Sequence, residues 1–193
     1  MNLPNKLTLA RIIMVPFYML FLLWQFPFHY VAALLVFIVA SLTDYFDGQI
    51  ARSQNLVTNL GKFLDPIADK MLTTAAFLVF LAIGVTDVWA VMLVMTREFM
   101  VTSVRLMAAK DGTVVAASFS GKLKTVAQYI AIIAMMTALT WQDVCMAYLP
   151  TIPTLAYTLP VLVSQIFIWI SVALTCISGV QYFWQFRHYF NED

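Results

Sequence analysis

Long apolar runs, separated by short polar stretches, dominate this 193-residue chain. A run of about 20 apolar residues gives a helix that can cross the hydrocarbon core of a bilayer, which is about 30 Å thick. Runs of this kind predict six membrane-spanning helices, at about residues 8–26, 28–46, 65–85, 88–108, 123–141 and 158–180. The strict alternation of a membrane β-barrel is not seen in the sequence. We therefore expect an all-α integral membrane protein.

Composition supports the same class. Hydrophobic residues make up 62% of the chain, charged residues make up 11%, and the mean hydropathy is +0.85. A water-soluble domain has about a quarter charged residues and could not bury this much apolar surface. Because no long linker rich in Pro, Gly or Ser interrupts the chain, we expect a single six-helix transmembrane domain over residues 1–193.

The first apolar run could also be a signal peptide, since Lys6 and Arg11 precede it. No small-residue cleavage site follows the run, so we expect a retained first helix. Cys145 and Cys176 are too few and too far apart for a disulfide framework or a zinc site. We expect both to be small apolar side chains within the bilayer.

The positive charges predict the orientation of the helices. The loops at about 24–30, 85–88 and 142–157 contain no Lys or Arg. The side that holds both termini receives Lys6, Arg11, Arg52, Lys62, Lys70, Arg105, Lys110, Lys122, Lys124 and Arg187. Lys and Arg near span ends are retained in the cytoplasm. The pattern predicts a multi-pass protein of the cytoplasmic membrane, with both termini and any active site facing the cytoplasm.

Four aspartates cluster at the inner ends of two predicted spans. Asp44 and Asp47 are three residues apart, and Asp65 and Asp69 are four residues apart, so each pair shares one helix face. If the two spans pack together, the four charges would repel strongly in a low dielectric unless protons or cations lie among them. Divalent cations such as Mg²⁺ prefer carboxylate oxygens and substrate phosphates as ligands. The alternative is that these aspartates only face water at the span ends.

Small and basic residues lie between the two acidic pairs. Gly48 and Gly61 would let a ligand approach the backbone closely, and Arg52 suits a bidentate contact with phosphate. The whole run reads Asp44-x2-Asp47-Gly48-x2-Ala51-Arg52-x8-Gly61-x3-Asp65-x3-Asp69. It resembles the signature of the CDP-alcohol phosphotransferase family. The resemblance implies a six-span fold, a homodimer, two divalent cations (Mg²⁺ or Mn²⁺), a CDP-activated donor and release of CMP.

The resemblance also implies roles for individual residues. The metal ligands would be Asp44, Asp47, Asp65 and Asp69. Asp69 would be the general base, with Asp65 left open for that role. The CDP donor would bind at Asn5, Thr8, Arg11, Asp47, Gly48, Ala51, Arg52, Thr58 and Gly61. For Asn5 and Thr8, capping of the first helix at the membrane interface is the alternative.

Cations near the fourth and fifth spans predict an anionic acceptor. A charge inside a span is costly and usually faces a cavity. The predicted acceptor-phosphate site contains Arg97, Arg105, Ser120, Lys122, Lys124 and Thr125. The start of the fifth span also offers a helix amino end that suits phosphate. The alternatives are an ion pair between Arg97 and Glu98, and a simple anchoring role for Lys122 and Lys124 at the cytoplasmic surface.

The identity of the acceptor depends on the resemblance. The strings TREF and SGKLKT resemble those of the glycerol-phosphate branch of the family, which implies sn-glycerol 3-phosphate as acceptor and CDP-diacylglycerol as donor. Inositol phosphate or another alcohol would satisfy the same charge argument. A cation transporter is the alternative from another class, although transporter sites lie near the midplane between repeats. Membrane lipid surrounds the predicted helices, and we expect no nucleic-acid partner.

Overall fold

The computed structural model of the protein describes residues 2–53, 59–110, 119–149 and 151–187. Side chains are described for these residues except 3, 4, 45–53, 59–63, 65, 66, 69, 109 and 110. The described chain forms α1 (Leu3–Leu23), α2 (His29–Ser53), α3 (Asn59–Ala82), α4 (Val88–Lys110), α5 (Phe119–Tyr148) and α6 (Thr154–Gln185). This confirms the all-α class and the position of each predicted helical run.

The helices differ from the predicted runs mainly at their ends. α1 ends at Leu23 rather than near residue 26, since the backbone is extended at Trp24, which caps the helix. α5 and α6 are longer than predicted, at 30 and 32 residues. They extend about 1.5 Å per residue, so each is longer than the hydrocarbon core is thick.

Among the residues that the structure describes, three stretches are long and apolar enough to cross a membrane: Asn5–Leu23, Phe119–Tyr148 and Thr154–Gln185. The apolar stretches His29–Asp44 and Lys70–Ala82 are shorter. The protein is thus an integral membrane protein, and the count of six spans stays a prediction. The charged residues Arg97, Glu98 and Arg105 explain why hydropathy alone does not mark α4.

The face that α6 buries carries its small and polar side chains. Ser164, Ser171, Thr175 and Ser178 are buried against the neighbouring helices. Large apolar side chains of the same helix are exposed, among them Leu159, Leu162, Ile166, Ile170 and Ile177. This arrangement reverses the pattern of a water-soluble helix. Small residues let membrane helices approach closely, and α6 packs along α5 and also against α4.

α1 lies between the two helices that carry the aspartates. Among the described residues, it packs extensively on α2 and α3, which contact each other over a short stretch only. Its buried face continues from Arg11 through Val15 and Tyr18 to Leu22. The Tyr18 ring packs against Phe37 of α2, with ring centroids 5.8 Å apart. The ends of α2 and α3 that carry the aspartates are therefore held together largely through α1.

A histidine ties the helices together at the opposite end of the bundle. His29 is buried at the start of α2. Its Nε2 lies 3.1 Å from Asp143 Oδ2 on α5, and its Nδ1 lies 3.1 Å from the carbonyl oxygen of Phe21 on α1. One imidazole ring thus connects three helices far from the aspartates.

Removing the His29 contacts should lower thermal stability and leave the opposite end of the bundle intact. We expect His29→Ala to lower the Tm of the purified protein by several degrees, since the loss of two buried contacts costs about 1–3 kcal/mol. Asp143→Ala should have a smaller effect because its side chain is 40% exposed and water screens the pair. Thermal unfolding in detergent measures both effects, and an unchanged Tm in both variants would contradict this role.

Candidate functional site

A polar cavity of about 410 Å³ opens where α2 and α4 approach their ends and α3 and α5 begin. It is lined by Asp44 of α2, by Lys70 and Thr73 of α3, by Arg97, Glu98 and Arg105 of α4, and by Gly121, Lys122, Lys124, Thr125, Val126, Gln128 and Tyr129 of α5. Since charged residues are only 11% of the chain, their concentration here marks the cavity as the candidate site.

A larger cavity of about 640 Å³ lies at the other end, around His29 and Asp143. The other residues that line it are mainly apolar or aromatic, and the His29 and Asp143 side chains already contact each other. Chemistry rather than size therefore favours the smaller cavity.

The structure brings most of the predicted acceptor-site residues into one place. Arg97, Arg105, Lys122, Lys124 and Thr125 all line the polar cavity, although they come from two helices. The Thr125 hydroxyl donates a hydrogen bond to the Gly121 carbonyl oxygen at 3.1 Å. Ser120, the second residue of α5, is half-buried outside the cavity lining. Whether these residues bind the acceptor stays a prediction.

Glu98 is the counter-charge of the buried cations. Its Oε1 accepts a hydrogen bond from Arg97 Nη1 at 3.3 Å and another from Lys124 Nζ. The Lys124 side chain is only 7% exposed, so Lys124 is not a simple surface anchor. Lys122 is exposed, as the anchoring alternative expects. The predicted pair between Arg97 and Glu98 forms, and Arg97 nevertheless lines the cavity.

Two arginines of the cavity are also held by α6. Arg97 Nη2 donates a hydrogen bond to Ser178 Oγ at 2.7 Å, and Arg105 Nη2 donates one to the Tyr182 hydroxyl at 2.8 Å. None of the described residues of α6 lines the cavity itself. This helix therefore supports the cavity from behind.

Arg11 connects α1 to the acidic signature. Its Nη1 lies 2.5 Å from Asp44 Oδ1, and its side chain is almost fully buried. Asn5 and Thr8 are buried too, and lie on the same face of α1 at a spacing of three residues. The capping alternative for both is wrong, because the N-cap position of α1 belongs to Asn2. Polar side chains buried on one helix face instead point to a site beside Asp44.

The remaining predicted ligands lie partly outside the described residues. The backbone of α2 runs through Asp47, Gly48, Ala51 and Arg52, and that of α3 runs through Gly61, Asp65 and Asp69. Their side chains, and all of Thr58, lie outside the described residues. The helical backbone does confirm that each acidic pair is about one turn apart.

The donor chemistry of this end suits a hard divalent cation. Among the described side chains, no group of three or more His, Cys, Asp or Glu could hold a metal ion. Asp44 is the described member of the predicted set, and it stands half-exposed at the cavity. Carboxylates one turn apart on two helices that pack on the same α1 are ligands that Mg²⁺ or Mn²⁺ accepts. The residues therefore fit the implied cations.

Several lining residues were not predicted from the sequence as parts of the site. They are the polar and aromatic residues Lys70, Thr73, Glu98, Gln128 and Tyr129 and the apolar Val126. Gln128 carried a usable signal, since a polar residue one turn after Lys124 in an apolar helix usually faces protein or water. Lys70 directly follows Asp69 and also had a signal. Thr73 and Tyr129 had none that distinguishes them from ordinary helix residues.

The arrangement suits a small phosphorylated molecule. Five cations against two carboxylates line the cavity and give it a positive balance. A volume of about 410 Å³ holds a small ligand but not a lipid with its acyl chains. Asp44, one of the predicted metal ligands, lies beside this positive region. A phosphate could thus bind next to a metal-activated group.

Comparison with known proteins identifies the family. The sequence model of the CDP-alcohol phosphatidyltransferase family matches residues 1–177. A protein of Bacillus subtilis is 40% identical over 94% of this chain and 93% of its own length. A protein of Rickettsia bellii is 36% identical over 98% of this chain and 97% of its own length. One of Sodalis glossinidius is 36% identical over 70% of this chain and 77% of its own length.

All three relatives are named CDP-diacylglycerol–glycerol-3-phosphate 3-phosphatidyltransferase. The family match covers more than nine-tenths of the chain, including the acidic signature and the cations of α4 and α5. These findings confirm the resemblance that the signature predicted. The chain belongs to the CDP-alcohol phosphatidyltransferase family.

Proposed function

We propose that this chain is an enzyme that transfers a phosphatidyl group from CDP-diacylglycerol to sn-glycerol 3-phosphate, giving phosphatidylglycerol phosphate and CMP. The observation that carries this proposal is the convergence of five cations beside Asp44 in one small cavity. A dianionic phosphate on the acceptor accounts for those cations, whereas a neutral or cationic alcohol does not. The names of the relatives favour glycerol phosphate over inositol phosphate.

The CDP end of the donor is assigned to α1, α2 and α3. Asp44, Asp47, Asp65 and Asp69 would hold two divalent cations, Mg²⁺ or Mn²⁺. When bound, such cations neutralise the charge of a pyrophosphate. Arg11 orients Asp44 through their ion pair. The nucleotide would lie along Asn5, Thr8, Arg11, Asp47, Gly48, Ala51, Arg52, Thr58 and Gly61.

The acceptor phosphate is assigned to the cations of α4 and α5. Lys122 and Arg105 are exposed to the cavity and can reach an incoming anion, while Lys124 lies deeper beside Glu98. Fixing the phosphate at these cations orients the other end of a short alcohol towards Asp44. Such positioning lowers the entropic cost of a reaction between two bound substrates. Ser120 and Thr125 complete the proposed site.

The reaction is a displacement at phosphorus. The acceptor hydroxyl gives its proton to the Asp69 carboxylate, or to that of Asp65, as its oxygen forms a bond to the β-phosphorus. The bond between the β-phosphorus and the bridging oxygen breaks, and CMP leaves with that electron pair. Arg52 would stabilise the charge on the phosphoryl oxygens. The acyl chains stay in the bilayer, which explains why the site is built at the end of a membrane bundle.

Two further features belong to the proposal. The distribution of Lys and Arg supports an orientation in which both termini and the polar cavity face the cytoplasm, in the cytoplasmic membrane. The homodimer implied by the family stays a prediction. The single domain over residues 1–193 is supported by the packing of α6 on both α4 and α5.

A panel of acceptors tests the proposed reaction. Purified protein is given CDP-diacylglycerol, Mg²⁺ and one acceptor at a time: glycerol 3-phosphate, inositol phosphate or serine. We expect CMP release with glycerol 3-phosphate at least about tenfold faster than with the others, since a specific site discriminates by 1.4 kcal/mol or more. Release only with serine or inositol phosphate would contradict the assigned acceptor, and no release with any acceptor would contradict the reaction.

Asp44→Asn serves as the inactive reference in this panel. It should release no CMP above background in assays well below its Tm, because it removes one charge of the proposed metal site; the Tm itself should fall, since buried Arg11 loses its counter-charge. Asp87→Asn is the matched control: Asp87 Oδ1 accepts a hydrogen bond from the Trp89 amide at the opposite end of the bundle. Asparagine can still cap this helix start. Activity of Asp44→Asn equal to that of the control would remove Asp44 from the chemistry.

Substitution of the cavity cations should weaken binding of the acceptor and leave binding of the donor nearly unchanged. We expect Lys124→Ala or Arg105→Ala to raise the KM for glycerol 3-phosphate about tenfold or more, because each loses a charge-assisted contact with phosphate. The KM for CDP-diacylglycerol should change less than about twofold. Steady-state kinetics with each substrate varied measures both. Arg187→Ala, at an exposed arginine outside the cavity lining, is the control. An equal rise in both KM values would contradict the assignment.

A further inference from the structure

Tyr182 occupies an unusual position between two arginines of the polar cavity. It belongs to α6, does not line the cavity, and is only 1% exposed. The guanidinium carbon of Arg97 lies 5.7 Å from the centre of its ring, and that of Arg105 lies 5.5 Å from the same centre. Its hydroxyl also accepts the hydrogen bond from Arg105. One buried ring thus contacts both cationic groups that α4 gives to the cavity.

These contacts restrict where the two guanidinium groups can lie. An aromatic face attracts a cation within about 6 Å, and the attraction is larger when water is excluded. Arginine side chains otherwise lose considerable rotamer entropy when a ligand fixes them. A tyrosine that already holds both groups reduces this cost before the phosphate arrives. The ring of Phe186, stacked on Tyr182 with centroids 5.8 Å apart, in turn restricts the tyrosine.

The neighbouring residues of α6 complete the support for Arg97. Ser178 accepts its second hydrogen bond, and Gly179 leaves room for its aliphatic stem. A Cβ atom built on Gly179 would lie 3.0 Å from Arg97 Cγ, closer than ordinary van der Waals contact. The sequence Ser178-Gly179-x-x-Tyr182 therefore matches the shape and the hydrogen-bonding needs of the arginines on α4.

We propose that Tyr182 is a positioning residue, which sets the affinity for the anionic acceptor by holding Arg97 and Arg105 in place from behind the cavity. This inference rests on the proposed function, since it takes the cavity to be the acceptor-phosphate site. It adds α6 to the machinery of the reaction, although none of the described residues of this helix lines the cavity.

Tyr182→Phe tests the hydroxyl while keeping the ring. We expect the KM for glycerol 3-phosphate to rise about three- to tenfold, because Arg105 loses one charge-assisted hydrogen bond. The kcat at saturating acceptor and the KM for CDP-diacylglycerol should stay within about twofold. Tyr157→Phe, the same change near the other end of α6, should leave all three parameters unchanged.

A double-mutant cycle separates positioning from general packing. If the Tyr182 hydroxyl acts through Arg105, Tyr182→Phe should add no further rise in KM to a protein that already carries Arg105→Ala. Additive effects in the cycle would overturn the proposal, and so would an unchanged KM in Tyr182→Phe. If Arg105→Ala alone leaves the KM for the acceptor unchanged, the assigned acceptor site fails instead, so the two failures are distinguishable.

If Tyr182→Phe lowers the Tm, Gly179→Ala provides a second test of the proposal. The added methyl group must displace Arg97 by a few tenths of an ångström. We expect the KM for glycerol 3-phosphate to rise about threefold or more, with the KM for CDP-diacylglycerol unchanged. An unchanged KM for the acceptor in a folded Gly179→Ala protein would contradict the support of Arg97 by α6.

Discussion

Charges buried between membrane helices need counter-charges close by, and this requirement organises the functional end of the molecule. A buried ion left without its partner costs several kcal/mol, far more than a surface ion pair contributes. Glu98 meets the requirement for Arg97 and Lys124, and so connects α4 to α5. Asp44 meets it for Arg11, and so connects α2 to α1.

These pairs account for the position of the cavity as well as its charge. Cations that share a single carboxylate can still bind an anion, whereas a cluster whose positive charges were all neutralised could not. The buried polar face of α6 contributes in the same way, through a serine and a tyrosine that hold arginines without adding negative charge. The surrounding surface stays apolar, with large side chains such as Phe99 and Trp184 exposed. A membrane-bound donor and a water-borne anion can therefore meet at the end of the bundle.

Much of this could be predicted from the sequence. Apolar runs predicted six helices because membrane helices satisfy their backbone polar groups internally, and each run overlaps one helix of the structure. The acidic signature predicted the family, which the comparisons confirm. Arg97 and Lys124 were predicted for the site because charge inside a span is rare and usually functional. Their convergence in one cavity follows from the packing of α4, α5 and α6.

Other features depend on three-dimensional packing that no local pattern reveals. Tyr182 looks like one more aromatic residue in an apolar helix, and only its contacts with α4 show its position between two arginines. Capping of the first helix was the alternative for Asn5 and Thr8, whereas both lie inside α1 on its buried face. The ends of α5 and α6 also lie beyond the predicted runs, since hydropathy does not mark where a helix ends.

The most direct test of the central claim is a crystal or cryo-electron microscopy structure with Mn²⁺, a CDP-containing donor and glycerol 3-phosphate bound. We expect the acceptor phosphate within hydrogen-bonding distance of Lys124 and Arg105, and density for Mn²⁺ at the carboxylate of Asp44. A phosphate bound elsewhere on the protein, with the cavity between α4 and α5 filled only by water, would contradict it.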